Sequence, residues 1–227
     1  MAQEEGVRKV LIGTVLVLLS LGVASATEVS CTDSAGPLSP INSSTVLTCG
    51  TLTFENFEVL NPTGGASGDV DILSGSEYNP ATGLVLLQLN PNLGSPTEAQ
   101  DEELLFEVVG GIDQIDMSVG GSDANVLENA CTEPIPTTGL NAFECVDGNT
   151  QLATITVGTT TGDQPVFSSV FAETSPVYIF KNIGTQAGGD LSEFTESFET
   201  GIPEPATAAL TLSGLVGLGL LWRRRRS

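Results

Sequence analysis

The sequence predicts an all-β protein, an antiparallel β-sandwich ectodomain, and three observations predict it. Apolar residues alternate over short segments, clusters of Gly, Pro, Asn, Asp and Thr separate those segments, and strand and helix patterns do not alternate as a parallel sheet would require. The chain has 227 residues. Once the two terminal segments described below are set aside, about 170 to 175 residues remain, enough for one sizeable core.

The elements follow in chain order. After Cys49, Leu52 and Phe54 alternate with threonines, and Phe57 and Val59 then alternate with Asn56 and Glu58. The apolar parity switches between the two pairs, which predicts a strand with a bulge near Glu55-Asn56. Leu84 to Leu89 is a nearly continuous apolar run behind the turn residues Asn79-Pro80-Ala81-Thr82-Gly83, which predicts a strand buried on both faces. Ser95-Pro96-Thr97-Glu98 carries the marks of a helix start, with Ser95 as cap, Pro96 in the first turn and Glu98 as capping-box partner. The acidic stretch behind it supports two helical turns. Leu104, Phe106 and Val108 alternate up to Gly110-Gly111, and Ile115, Met117 and Val119 alternate after it, the pattern of a hairpin turning on its glycines. Further strands are predicted at 152–157, 166–171 and 176–183, between turn-rich clusters.

Composition narrows the chemistry. The chain contains no histidine, which removes the commonest general base and transition-metal ligand and every Ser-His-Asp or Cys-His arrangement. Of the seven basic residues, Arg8 and Lys9 precede the first apolar run and Arg223, Arg224, Arg225 and Arg226 follow the last, so Lys181 stands alone between them. Glu4, Glu5 and Glu204 lie outside the span from Thr27 to Ile202, leaving 25 of the 28 acidic residues inside it and a charge there of −24. Such a body repels phosphate backbones and anionic lipid, so no nucleic-acid partner is expected, and dispersed acids chiefly make a solvated surface.

Cys31, Cys49, Cys131 and Cys145 lie between the terminal segments. Two disulfides are expected of an exported domain, with zinc disfavoured by the absence of a C-x-x-C pair. Of the three pairings, Cys31 with Cys49 and Cys131 with Cys145 is preferred, because each closes a short loop containing Pro and turn-forming residues.

Both ends read as addresses. Val10 to Val23 is an apolar stretch behind Arg8 and Lys9, and it runs into Ala24-Ser25-Ala26, the small-x-small pattern that signal peptidase accepts. Residues 1–26 are therefore predicted to be a signal peptide, cleaved between Ala26 and Thr27. At the other end Ala206 to Trp222 carries no charge. As a helix it spans about 26 Å, just enough to cross a bilayer. The four arginines behind it are expected in the cytoplasm, with everything before the helix outside.

Just ahead of that helix stands Gly201-Ile202-Pro203-Glu204-Pro205. Pro203 and Pro205 keep the backbone extended and open to an enzyme at the membrane surface, and Glu204 offers one charge for recognition. This order of a Pro203-Glu204-Pro205 motif, a transmembrane helix over 206–222 and an arginine cluster over 223–226 resembles the PEP-CTERM sorting signal. The resemblance implies that the chain is a substrate of exosortase, an integral membrane cysteine transpeptidase of exopolysaccharide-producing bacteria that removes the anchor near the motif. It divides the chain into the leader 1–26, an ectodomain 27–200 and the sorting signal 201–227. The body more loosely resembles ectodomains that accompany this signal, through Cys49-Gly50 before a strand, a second Cys pair in the latter half, and Lys181-Asn182-Ile183 before a Gly-rich run. That likeness implies fold and location. Lys181 itself reads as a solvated or ion-paired residue at a strand end.

The expected function is accordingly a non-enzymatic component of the cell surface or of an exopolysaccharide matrix, with no cofactor and with exopolysaccharide as the outer partner. A carbohydrate- or Ca²⁺-binding module is the alternative, since Asp69, Asp71, Asp113, Asp116 and Asp123 lie near glycine turns. A carboxylate-based glycoside hydrolase is the least favoured.

Overall fold

The computed structural model describes residues 29–33, 40–139, 142–148, 150–160 and 164–200. Within them the chain is all-β. The strands are β1 (Val29–Ser30), β2 (Thr32–Asp33), β3 (Leu47–Cys49), β4 (Leu52–Thr63), β5 (Asp71–Ile72), β6 (Glu77–Asn79), β7 (Leu84–Asn90), β8 (Leu93–Gly94), β9 (Gln100–Val109), β10 (Gln114–Cys131), β11 (Gln151–Gly158), β12 (Val166–Phe167) and β13 (Val177–Glu199). All pair antiparallel in one continuous, curled sheet.

Two long strands make the sheet curl. Residues 177–185 of β13 lie between β9 and residues 124–131 of β10, whereas its residues 190–199 pair with β7, β8 and the first part of β10. β10 and β13 therefore run through both halves of the sheet together. They bend where their register slips, between Gly120 and Ala124. Gly121 sits at the bend with a φ of 125°, and a Cβ there would stand 2.0 Å from the Asp190 carbonyl oxygen. Only glycine lets the two backbones approach so closely.

The inward faces of the two halves meet in one apolar core. Phe198, from the second half of β13, places its ring 5.0 Å from that of Phe54 on β4 and 6.5 Å from that of Phe106 on β9. On the outer face of the sheet, Phe180 stacks on Phe143 at 5.0 Å. There the 132–150 loop, held by the Cys131–Cys145 disulfide, covers a second, smaller cluster. Cys31 and Cys49 form the other disulfide.

The bulge in β4 lies at its expected place. Asn56 takes a φ of 58° and the β4–β9 register shifts between Glu55 and Glu58. Four expectations need correction. The hairpin across Gly110-Gly111 does not form, because β13 lies between β9 and β10. The 110–113 segment instead carries the chain from one half of the sheet to the other, with Ile112 bridging to Thr174 and the Asp113 amide donating to Glu199 O. No helix follows Ser95: its Oγ accepts from the Glu98 amide at 3.2 Å, but the acidic stretch enters β9, where β4 and β13 supply its hydrogen-bond partners. The 84–89 strand alternates instead of burying both faces, with Val85, Leu87 and Leu89 fully buried and Leu84, Leu86 and Gln88 half-buried. The 166–171 strand shortens to two residues.

Among the described residues no helix is long and apolar enough to cross a membrane. The signal-peptide residues Ala24, Ala26 and Thr27, the motif Pro203-Glu204-Pro205, the 206–222 helix and Arg223 to Arg226 lie outside the described residues.

Candidate functional site

The most unusual chemistry lies inside the core. Along β13 the inward positions read Val177, Ile179, Lys181, Ile183 and then, beyond the bend, Phe194, Glu196, Phe198. Along the second part of β10 they read Ala124, Val126, Glu128, Ala130. Three charged residues thus occupy positions in phase with core apolar residues, so the strand period carries them inward. Lys181, Glu128 and Glu196 are all fully buried. Glu128 stands directly opposite Lys181 across the β10–β13 pairing, and Lys181 Nζ is in direct contact with Glu128 Oε2. Glu196 approaches from the other half of the sheet, its Oε2 2.9 Å from Nζ.

The rest of the ammonium's surroundings are apolar. The Phe194 ring centroid lies 5.4 Å from Nζ, the Phe106 centroid 6.0 Å and Met117 Sδ 3.6 Å. Burial opposes the charge on Lys181, but the two neighbouring carboxylates outweigh it and hold its pKa above the ordinary lysine value. Two carboxylates cannot both be compensated by one ammonium in so dry a place. Burial, reinforced by the charge of Glu128, pushes the Glu196 carboxyl well above its usual range. Glu128 Oε1 and both carboxyl oxygens of Glu196 have no hydrogen-bond partner, so Glu196 meets Lys181 by charge and proximity alone.

A second buried acid lies on β9. Glu102 shares the inward register of Leu104, Phe106 and Val108 and is fully buried. Neither of its oxygens is hydrogen-bonded. Burial first, then the charges of Asp69 and Asp101, raise its pKa to about 7. The folded chain therefore binds this proton more tightly than the unfolded chain, whose carboxyl titrates near 4.5. Stability falls as pH rises from about 4.5 through about 7, and the penalty persists above that window, at about 3 kcal/mol at most. Glu102→Gln is expected to raise the denaturation midpoint at about pH 8 and to change it little at about pH 5. A midpoint shift equal at both pH values would refute the assignment.

The five aspartates singled out in sequence do not converge. Asp71 Oδ2 accepts from Asn92 Nδ2 at 3.1 Å, and the same amide approaches the Asp69 carbonyl at 3.4 Å. Asp113 belongs to the crossover at the far end of β10, Asp116 faces Ser197 across the β10–β13 pairing, and Asp123 occupies the β10 bend. Among the described residues no three acidic or cysteine side chains form a group that could hold a metal ion.

Sequence reasoning read Lys181 as a solvated or ion-paired residue at a strand end. The structure bears out the ion pair and corrects the place: Lys181 lies inside a 23-residue strand with no exposure. Glu102, Glu128 and Glu196 were not singled out. The signal that marks all four is a charged residue exactly two positions from apolar neighbours on either side, or from the next one in the strand, within a segment otherwise alternating toward the core.

Comparison with known proteins bears on the end of the chain. The family model described as the PEP-CTERM protein-sorting motif matches residues 201–226. The chain thus bears the PEP-CTERM sorting signal, on a disulfide-stapled all-β body. No curated protein matches it. Among solved structures, that of TmCBM61 in complex with beta-1,4-galactotriose aligns over 63% of this chain and 84% of its own, at 12% identity and a TM-score of 0.31, a likeness too slight to bear on function.

Proposed function

We propose that this chain is an exported, non-enzymatic component of the cell surface or exopolysaccharide matrix, sorted and processed by exosortase. The observation that carries this reading is the PEP-CTERM motif at residues 201–226. In the proposed sequence of events, signal peptidase removes residues 1–26, and the 206–222 helix then tethers the precursor to the inner membrane with the ectodomain outside the cytoplasm. Exosortase cuts near Pro203-Glu204-Pro205, and the β-sandwich body is released to the surface. The body suits such a life: both disulfides belong to an oxidising compartment, and its large negative charge keeps it soluble. A non-enzymatic role is supported by where the perturbed acids lie. Glu102 and Glu196 are fully buried and Asp116 nearly so, out of reach of a polysaccharide, which leaves the half-buried Asp101 without a second perturbed acid at the surface.

The test is to delete residues 203–226 in the native host and fractionate the cells, measuring intact mass in each fraction. The full chain is expected outside the membrane as a species beginning at Thr27 and ending between Pro203 and Pro205, and the deletion is expected to lose surface attachment. A membrane-bound product still carrying Arg223 to Arg226, or a deletion variant that stays where the full chain goes, would make the tail a simple anchor.

A further inference from the structure

The geometry points to an intramolecular amide bond between Lys181 Nζ and Glu128 Cδ, formed by condensation inside the folded core beside the Glu196 carboxyl. Three features coincide at this one place. The amine and the acceptor carboxyl are held by directly opposed positions of neighbouring strands, with Nζ against Glu128 Oε2. Reacting groups fixed in this way gain the large advantage of an intramolecular reaction. A second carboxyl stands 2.9 Å from the same nitrogen, from the opposite half of the sheet, where burial and the charge of Glu128 favour its protonated form. Finally, Phe106, Phe194 and Met117 enclose the group, and Lys181, Glu128 and Glu196 are all without exposure, so bulk water is kept from reversing the reaction by hydrolysis.

The chemistry balances without any added reagent. It begins from ammonium, carboxylate and protonated Glu196. One proton passes from Nζ to Glu128, giving a neutral amine and a neutral acid. The amine lone pair adds to Glu128 Cδ, forming the C–N bond. Glu196 gives its proton to the departing oxygen and recovers one from the nitrogen as the C–O bond breaks, so that one water leaves. No atom is oxidised or reduced, and Glu196 ends as it began. The product exchanges a buried ion pair for a neutral amide and leaves the site with no net charge. It also ties β10 to β13 across 53 residues of sequence.

The sequence itself supplies a sharp readout. Lys181 is the single basic residue between Lys9 and Arg223, so trypsin can cut the ectodomain at one place, and only while Nζ is free. The full chain, isolated from its host, denatured and with its disulfides reduced, is expected to resist cleavage at Lys181 and to weigh one water less than its processed sequence. Fragmentation is expected to yield a branched peptide joining Lys181 to Glu128. Lys181→Arg is expected to restore both the cut and the full mass. Glu128→Gln is expected to reach the same final mass as wild type, since its carboxamide releases ammonia in place of water. Glu196→Gln is expected to accumulate the uncondensed, cleavable form. Wild-type protein that is cut quantitatively at Lys181 and shows its full mass overturns the proposal, as does a branch mapping to Glu196. This outcome is independent of where exosortase acts, because the readout lies wholly within the ectodomain.

Discussion

Lys181→Met is expected to destabilise the protein by about 3–5 kcal/mol, because it removes the one cation from a dry site that holds two carboxyls. Burial already pushes Glu196 toward its protonated form, so the loss falls on Glu128, which is left in the core without its partner. Denaturant unfolding checks this directly, and a loss below about 1 kcal/mol would show that the cluster is not compensated through Lys181. Replacing all three residues together, Glu128→Leu, Lys181→Met and Glu196→Leu, is expected to recover most of the loss, since an apolar set of similar volume carries no desolvation cost. Any shortfall that remains measures what the proposed amide adds, because the triple variant cannot form it.

Phe198→Ala is expected to cost about 3–5 kcal/mol for a different reason. Its ring is fully buried where the two halves of the curled sheet meet, against Phe54 and Phe106. Truncation would open a cavity between strands whose backbones are locked by pairing on both sides, so the site cannot collapse to fill it. Phe167→Ala is the matched control, since that ring is 56% exposed on a two-residue strand, and a change within about 0.5 kcal/mol is expected there. Equal losses at the two positions would mean that the core does not lie where Phe198 places it.

Much of the local structure could be read along the chain. The parity switch between Phe54 and Phe57 located the β4 bulge, because a single extra residue must flip which side chains face inward. The short loops ending at Cys49 and Cys145 indicated their own closure. By contrast, Ser95 did offer its hydroxyl as a cap, yet no helix followed. Capping stabilises the first turn by about 1 kcal/mol, and pairing on both sides of β9 outweighs it.

The sequence by itself determined the class of the body, the direction in which most side chains point, and the sorting signal at residues 201–226, because these depend on residues close together in the chain. Only the tertiary structure decided which strands are neighbours. It inserted β13 between β9 and β10 where alternation and glycines had suggested a hairpin, and it brought Glu128 of β10 against Lys181 and Glu196 from the two halves of β13. Alternation with a period of two tells which face a residue joins, but not what that face meets. A lysine in phase with isoleucines therefore looks like a solvated or ion-paired strand end until the opposite half of the sheet closes over it with a glutamate in reach.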